Sequence, residues 1–104
     1  MAVKNNIPVS NNRLTVVGPV TALNGFDENV SLEAELGARY LEPLERRTTR
    51  LVWQFESDTP PLEPMKRLSA CHPRLTLLLD YDWERRKGLA KAKSGQLERH
   101  EVSY

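Results

Sequence analysis

Large apolar residues alternate with polar ones at Leu51, Trp53 and Phe55, and again at Leu75, Leu77, Leu79, Tyr81 and Trp83. A period of two puts each set on one face, so both runs predict half-buried strands. The stretch between them predicts a helix. Pro60 biases Thr59 away from helical dihedrals, Pro61 suits a first turn where its missing N–H is no loss, and Pro64 still lies in that turn. Leu62, Met65, Leu68 and Ser69 then share an inner face, and Pro73 ends the helix just after His72.

Upstream, Arg13 to Val17 predicts a short strand that Gly18-Pro19 closes. Leu23, Phe26 and Val30 give one helical stripe behind a Thr21 cap, with Gly25 weakening that helix by ~1 kcal/mol relative to alanine. Between Ser31 and Arg50 the signals compete: Leu32 to Leu36 favour helix, Gly37 punctuates, and Pro43 suits only an edge. The reading places an edge strand over Ala38 to Leu44, with Glu45-Arg46-Arg47 turning into a strand over Thr49 to Glu56. Downstream, Glu84 to Gly88 reads as a charged turn, and short strands over Leu89 to Lys93 and Gln96 to Val102, on either side of Ser94-Gly95, are expected to extend the sheet as a meander.

The expected order is β-α-β-β-α-β with a C-terminal β-hairpin appended. Both helices on one face of an antiparallel sheet make an α+β, ferredoxin-like two-layer sandwich, in which each element buries its apolar face. The expected core comprises Leu14, Val16, Leu23, Phe26, Leu51, Trp53, Phe55, Leu62, Met65, Leu68, Leu75, Leu77 and Leu79. With 104 residues, a single domain over 13–104 is expected behind a flexible lead-in over 1–12.

Several landmarks carry a family resemblance. They are Asn11-Asn12-Arg13-Leu14-Thr15-Val16 followed by Gly18, the Phe55 to Pro61 segment ending in Pro-Pro, Leu68-Ser69 followed by His72-Pro73 and Leu75-Thr76-Leu77, and Tyr81 with Gly88 and Gly95 behind it. In order and spacing these resemble the bacterial family described as YubB ferredoxin-like. Asp58 departs from the pattern where that family usually places tryptophan, and 31–47 does not follow it. The resemblance implies a ferredoxin-like fold without an iron-sulfur cluster, in a family often associated with mobile elements. It brings no agreed activity and no catalytic residues.

Composition narrows the function classes. The 39% hydrophobic and 28% charged residues are ordinary for a soluble chain. The apolar run Leu77 to Leu79 is far below the ~20 residues of a membrane helix, so no membrane association is expected. Met1 to Asn12 has neither the apolar segment of a signal peptide nor the basic pattern of a transit peptide. A lone cysteine, Cys71, precludes an internal disulfide and a four-cysteine cluster, fits a cytoplasmic setting, and reads as a structural, at least half-buried residue. The formal charge of +1 supplies no global attraction to nucleic acid.

Candidate chemistry is local. Asp80, Asp82 and Glu84 alternate with Tyr81 and Trp83, which puts the carboxylates on one strand face, either as a hard-cation site or as a solvated surface. His72 and His100 fall in no metal-ligand spacing, and no phosphate-loop glycine motif is present. No cofactor, metal ligand or catalytic residue is therefore assigned. Arg85, Arg86, Lys87, Lys91 and Lys93 near Trp83 are the candidate nucleic-acid contacts, since they combine phosphate-binding charge with an aromatic surface.

The expected function is a small non-enzymatic cytoplasmic binding module that acts through a protein partner or a weak homodimer. The alternative is a nucleic-acid-binding protein using the basic hairpin 85–93. A further alternative is an enzyme with a site assembled around His72, His100 and the Asp80 and Asp82 pair.

Overall fold

Residues 8–104 are described by the computed structural model. Residues 1–7 of the expected lead-in lie outside the described residues. In chain order the elements are β1 (Ser10–Val17), α1 (Val20–Asn29), α2 (Leu32–Leu36), β2 (Arg39–Arg47), β3 (Arg50–Ser57), α3 (Leu62–Cys71), β4 (Thr76–Trp83), β5 (Arg86–Lys93) and β6 (Gln96–Ser103). The strands form one six-stranded sheet in the order β2-β3-β1-β4-β5-β6. Every pairing is antiparallel.

This corrects the expected ferredoxin-like βαββαβ sandwich with an appended hairpin. The molecule is a continuous six-stranded sheet with three helices. The physical reason lies in β5, which pairs with β4 along its whole length from Arg86 to Lys93. Ala90 and Ala92 continue the buried face of Leu79 and Leu77, so the expected meander belongs to the core sheet itself, and its first strand begins at Arg86 rather than at Leu89. A helix also stands where the sequence signals competed. The Ser31 hydroxyl accepts a 3.2 Å bond from the Ala34 N–H, and Gly37 ends α2 in the left-handed region at φ 66°.

Other boundaries move as well. β1 begins at Ser10, because Ser10 and Asn12 continue the buried alternation of Leu14 and Val16. α1 starts behind Pro19, with no side-chain cap from Thr21. β2 runs on through Glu45-Arg46-Arg47, and the turn falls on Thr48-Thr49. The β4–β5 turn is only Glu84-Arg85, both with positive φ.

The core lies between the sheet and the helices. Leu14 sits between Trp53 and Leu79, and Val16 between Leu51 and Leu77, all of them buried. Phe26 of α1 meets Trp53 at 6.0 Å between ring centroids, while Met65 and Leu68 bring α3 into the same core. Of the expected core residues, all but the half-buried Leu62 are buried. Leu32, Leu36, Ala38, Tyr81, Ala90 and Ala92 join them.

Candidate protein-binding face

Strand parity decides what faces solvent. Residues one position away from Leu14, Leu79 and Ala90 point to the side of the sheet opposite the core. One cross-strand row there is Gln54, Arg13, Asp80, Leu89 and His100, on β3, β1, β4, β5 and β6 respectively. The next row is Glu56, Asn11, Asp82, Lys87 and Val102. Both rows line one broad groove of about 820 Å³, joined by Tyr40 from the irregular part of β2.

This face carries apolar side chains that no helix covers. Leu78, Leu89 and Val102 are 38%, 57% and 65% exposed. Leu89 pairs with Asp80, two residues along from Leu78, and with His100, two residues along from Val102. The three therefore step diagonally across β4, β5 and β6. Val52 lies on the same face beyond Thr15, which pairs with both Val52 and Leu78, but it is buried and adds no exposed apolar surface. Charges of both signs flank it, with Arg13, Lys87 and Lys91 on one hand and Glu56, Asp80, Asp82 and Glu98 on the other.

The expected nucleic-acid contacts do not all share a surface. Lys87, Lys91 and Lys93 lie on the helix-free face of β5, whereas Arg86 lies on the other side and stands over the Trp83 ring at 5.3 Å. Arg85 belongs to the turn. The aromatic platform is likewise displaced: Trp53, Phe55 and Tyr81 are buried on the helix side, and Trp83 is half-buried. Trp83 Nε1 is buried with no acceptor among the described residues.

The alternative enzyme constellation is also divided. His100 joins Asp80 and Asp82 in the groove, but His72 caps the far end of α3, on the helix side, with its ring edge-on to Phe26 at 5.2 Å. Glu84 has left the strand for the turn, so only Asp80 and Asp82 of the alternating carboxylates share the face. Asp82 accepts a 2.5 Å bond from the Tyr104 hydroxyl. Among the described residues no three His, Cys, Asp or Glu side chains gather closely enough to hold a metal ion. Cys71 is exposed, which corrects the expectation of a buried or half-buried thiol: it occupies the outer side of the last turn of α3.

At one end of the sheet a polar cluster is locked into the buried side. The Asn12 amide donates to the Ser57 hydroxyl at 2.8 Å and to the Ser10 carbonyl at 3.2 Å, and it accepts from the Ser10 hydroxyl at 2.7 Å. The Ser57 hydroxyl in turn donates a hydrogen bond to the Thr59 carbonyl at 2.7 Å, tying the Pro-Pro loop to the sheet. Nearby, the Tyr81 hydroxyl donates to Glu101 at 2.5 Å across β5. Burial first, and this bond second, push the Tyr81 phenol up to about 12.

The sequence reading missed the apolar diagonal, although its signal was present. Leu78 and Leu89 fall on the polar parity of their strands, a pattern visible once the register between β4 and β5 is known. Among the described residues no helix is long and apolar enough to cross a membrane. No family model, no curated protein and no solved structure matches this chain.

Proposed function

We propose that the protein is a non-enzymatic, cytoplasmic binding module that docks a protein partner on the helix-free face of its sheet. The observation that carries this reading is the exposed diagonal of Leu78, Leu89 and Val102, bordered by charges of both signs. An apolar strip rimmed by mixed charge is the chemistry of a protein interface. The fitting occupant is a protein surface with an apolar centre and charged side chains of both signs around it. Nucleic acid is a poorer fit, because Asp80, Asp82 and Glu98 interrupt Lys87, Lys91 and Lys93, and the large rings point to the other side. The motif resemblance adds no activity to this reading.

Photo-crosslinking tests it. A photoreactive residue at Leu89 should trap discrete protein adducts, while one at the exposed Arg67 of α3 should not. Leu78→Asp together with Val102→Asp should abolish the adducts. Absence of protein adducts would overturn the proposal. The nucleic-acid reading would replace it if mixed single-stranded DNA and RNA bind at low salt and release when Lys87, Lys91 and Lys93 become glutamine.

A further inference from the structure

The two edges of the sheet are treated differently. β2 carries Pro43 and register shifts on either side of it, features that break the hydrogen-bonding ladder an incoming strand would need. β6 pairs with β5 without a shift from Gln96 to Ser103, and it contains no proline. Its outer edge is a regular strand with no partner among the described residues. Such an edge is a template for another strand.

We infer that β6 pairs antiparallel with β6 of a second copy, continuing the sheet through a two-fold axis that passes through His100. Charge selects this register. Helix-side residues must meet helix-side residues across the axis, because a one-residue slip would flip every side chain to the wrong face. Leu97, Arg99, Glu101 and Ser103 form the helix side. An axis at Arg99 would set arginine against arginine, and an axis at Glu101 would set glutamate against glutamate. With the axis at His100, Arg99 of each copy faces Glu101 of the other, Glu98 faces Val102, and Leu97 faces Ser103.

Cross-strand pairs of opposite charge stabilise a sheet, and like charges directly opposite destabilise it. The symmetry supplies the Arg99–Glu101 attraction twice, as an isologous interface requires. Glu101 is held on the helix side with its carboxylate drawn back over β5, one oxygen 2.5 Å from the Tyr81 hydroxyl and the other 4.0 Å from Arg86, so it is the long Arg99 side chain of the second copy that reaches over β6 to meet it. The interface goes beyond the docking face: the inferred dimer places two helix-free faces side by side and covers neither diagonal.

Light scattering on the full chain up to ~1 mM, with charge-reversed variants, tests the register. The native chain should dimerise reversibly. Arg99→Glu and Glu101→Arg should each raise the dissociation constant about tenfold, because two attractions become two repulsions. An equimolar mixture of these two variants should recover the native dimer, since each copy then meets its complement. His100→Lys should weaken the dimer, whereas an axis at Arg99 would pair the new lysine with Glu98 and strengthen it. Amide exchange along β6 should slow as protein concentration rises.

A native chain that stays monomeric overturns the inference, as does a dimer indifferent to Arg99→Glu or strengthened by His100→Lys. If Glu101→Arg fails to fold, Arg99→Glu and His100→Lys decide alone, because both positions are exposed. Loss of protein adducts at Leu89 with this dimer intact would sink the docking proposal and leave the edge pairing standing.

Discussion

The ring of Tyr81 lies across the backbone of Gly88, so close that a Cβ added at position 88 would come within 2.0 Å of the tyrosine Cζ. The two residues are opposite each other on β4 and β5, and Gly88 in turn faces Glu101 on β6. Only a residue without a side chain lets the ring cross β5 and donate its hydroxyl to Glu101. Gly88→Ala must therefore expel a buried ring or shift a central strand. It should cost ~1 to 3 kcal/mol by denaturant melts. In a Tyr81→Ala background the same substitution should cost much less, because the collision is gone.

The same contact sets an alkaline limit on stability. The folded protein keeps the Tyr81 proton up to about 12, against an ordinary value of 10.0. Through that window the unfolded chain binds fewer protons than the folded one, so this contribution is complete below the ordinary value and is lost as pH rises to the folded one. Stability should fall more steeply over this range in the native protein than in Tyr81→Phe. Absorbance titration of tyrosinate should show Tyr81 ionising well above an ordinary tyrosine, and melts at matched pH should give the difference in slope.

How much of this could be read from the residues depends on whether the cause is local. Leu51, Trp53 and Phe55 announce β3 because alternation is a property of the strand itself, and Pro61 and Pro73 bracket α3 because proline acts on its own backbone. The short helix α2 was harder, since Leu32 and Leu36 bury themselves only through tertiary packing. The last strands are legible as an extension of the sheet, but not their part in the core: Ala90 and Ala92 are small and carry little hydrophobic signal, yet they sit under α3 on the buried face. The apolar diagonal is hidden for a related reason. Leu78 and Leu89 are far apart in the chain, and only the register brings them into one diagonal with Val102.

Asn12 should be among the least replaceable polar residues. It is 3% exposed, and its amide both donates and accepts within the Ser10–Ser57 cluster. Asn12→Ala strands buried hydroxyl and carbonyl groups and should cost ~1 to 3 kcal/mol. Asn12→Asp should cost more at neutral pH, because a carboxylate cannot donate to Ser57 or to the Ser10 carbonyl and brings a buried charge. Parallel melts of the two variants at neutral and acidic pH check this: the aspartate penalty should shrink on acidification, as its protonation removes the charge.

Leu78 and Leu79 provide the strictest check of the sheet faces, because they are adjacent in sequence and lie on opposite sides. Leu79 is 1% exposed, between Leu14 and Ala90, so Leu79→Ala should cost ~2 to 5 kcal/mol through lost transfer energy and the cavity left behind. Leu78 is 38% exposed among Thr15 and Lys91, so Leu78→Ala should cost less than about 1 kcal/mol. Chemical denaturation of both variants measures the contrast directly. A large cost at Leu78 in dilute protein would mean that something in the chain covers this face, leaving no room for a docked partner. A small cost there, with Leu79 costly, means that Leu78 is dispensable for folding, which leaves its side chain free for the proposed interface.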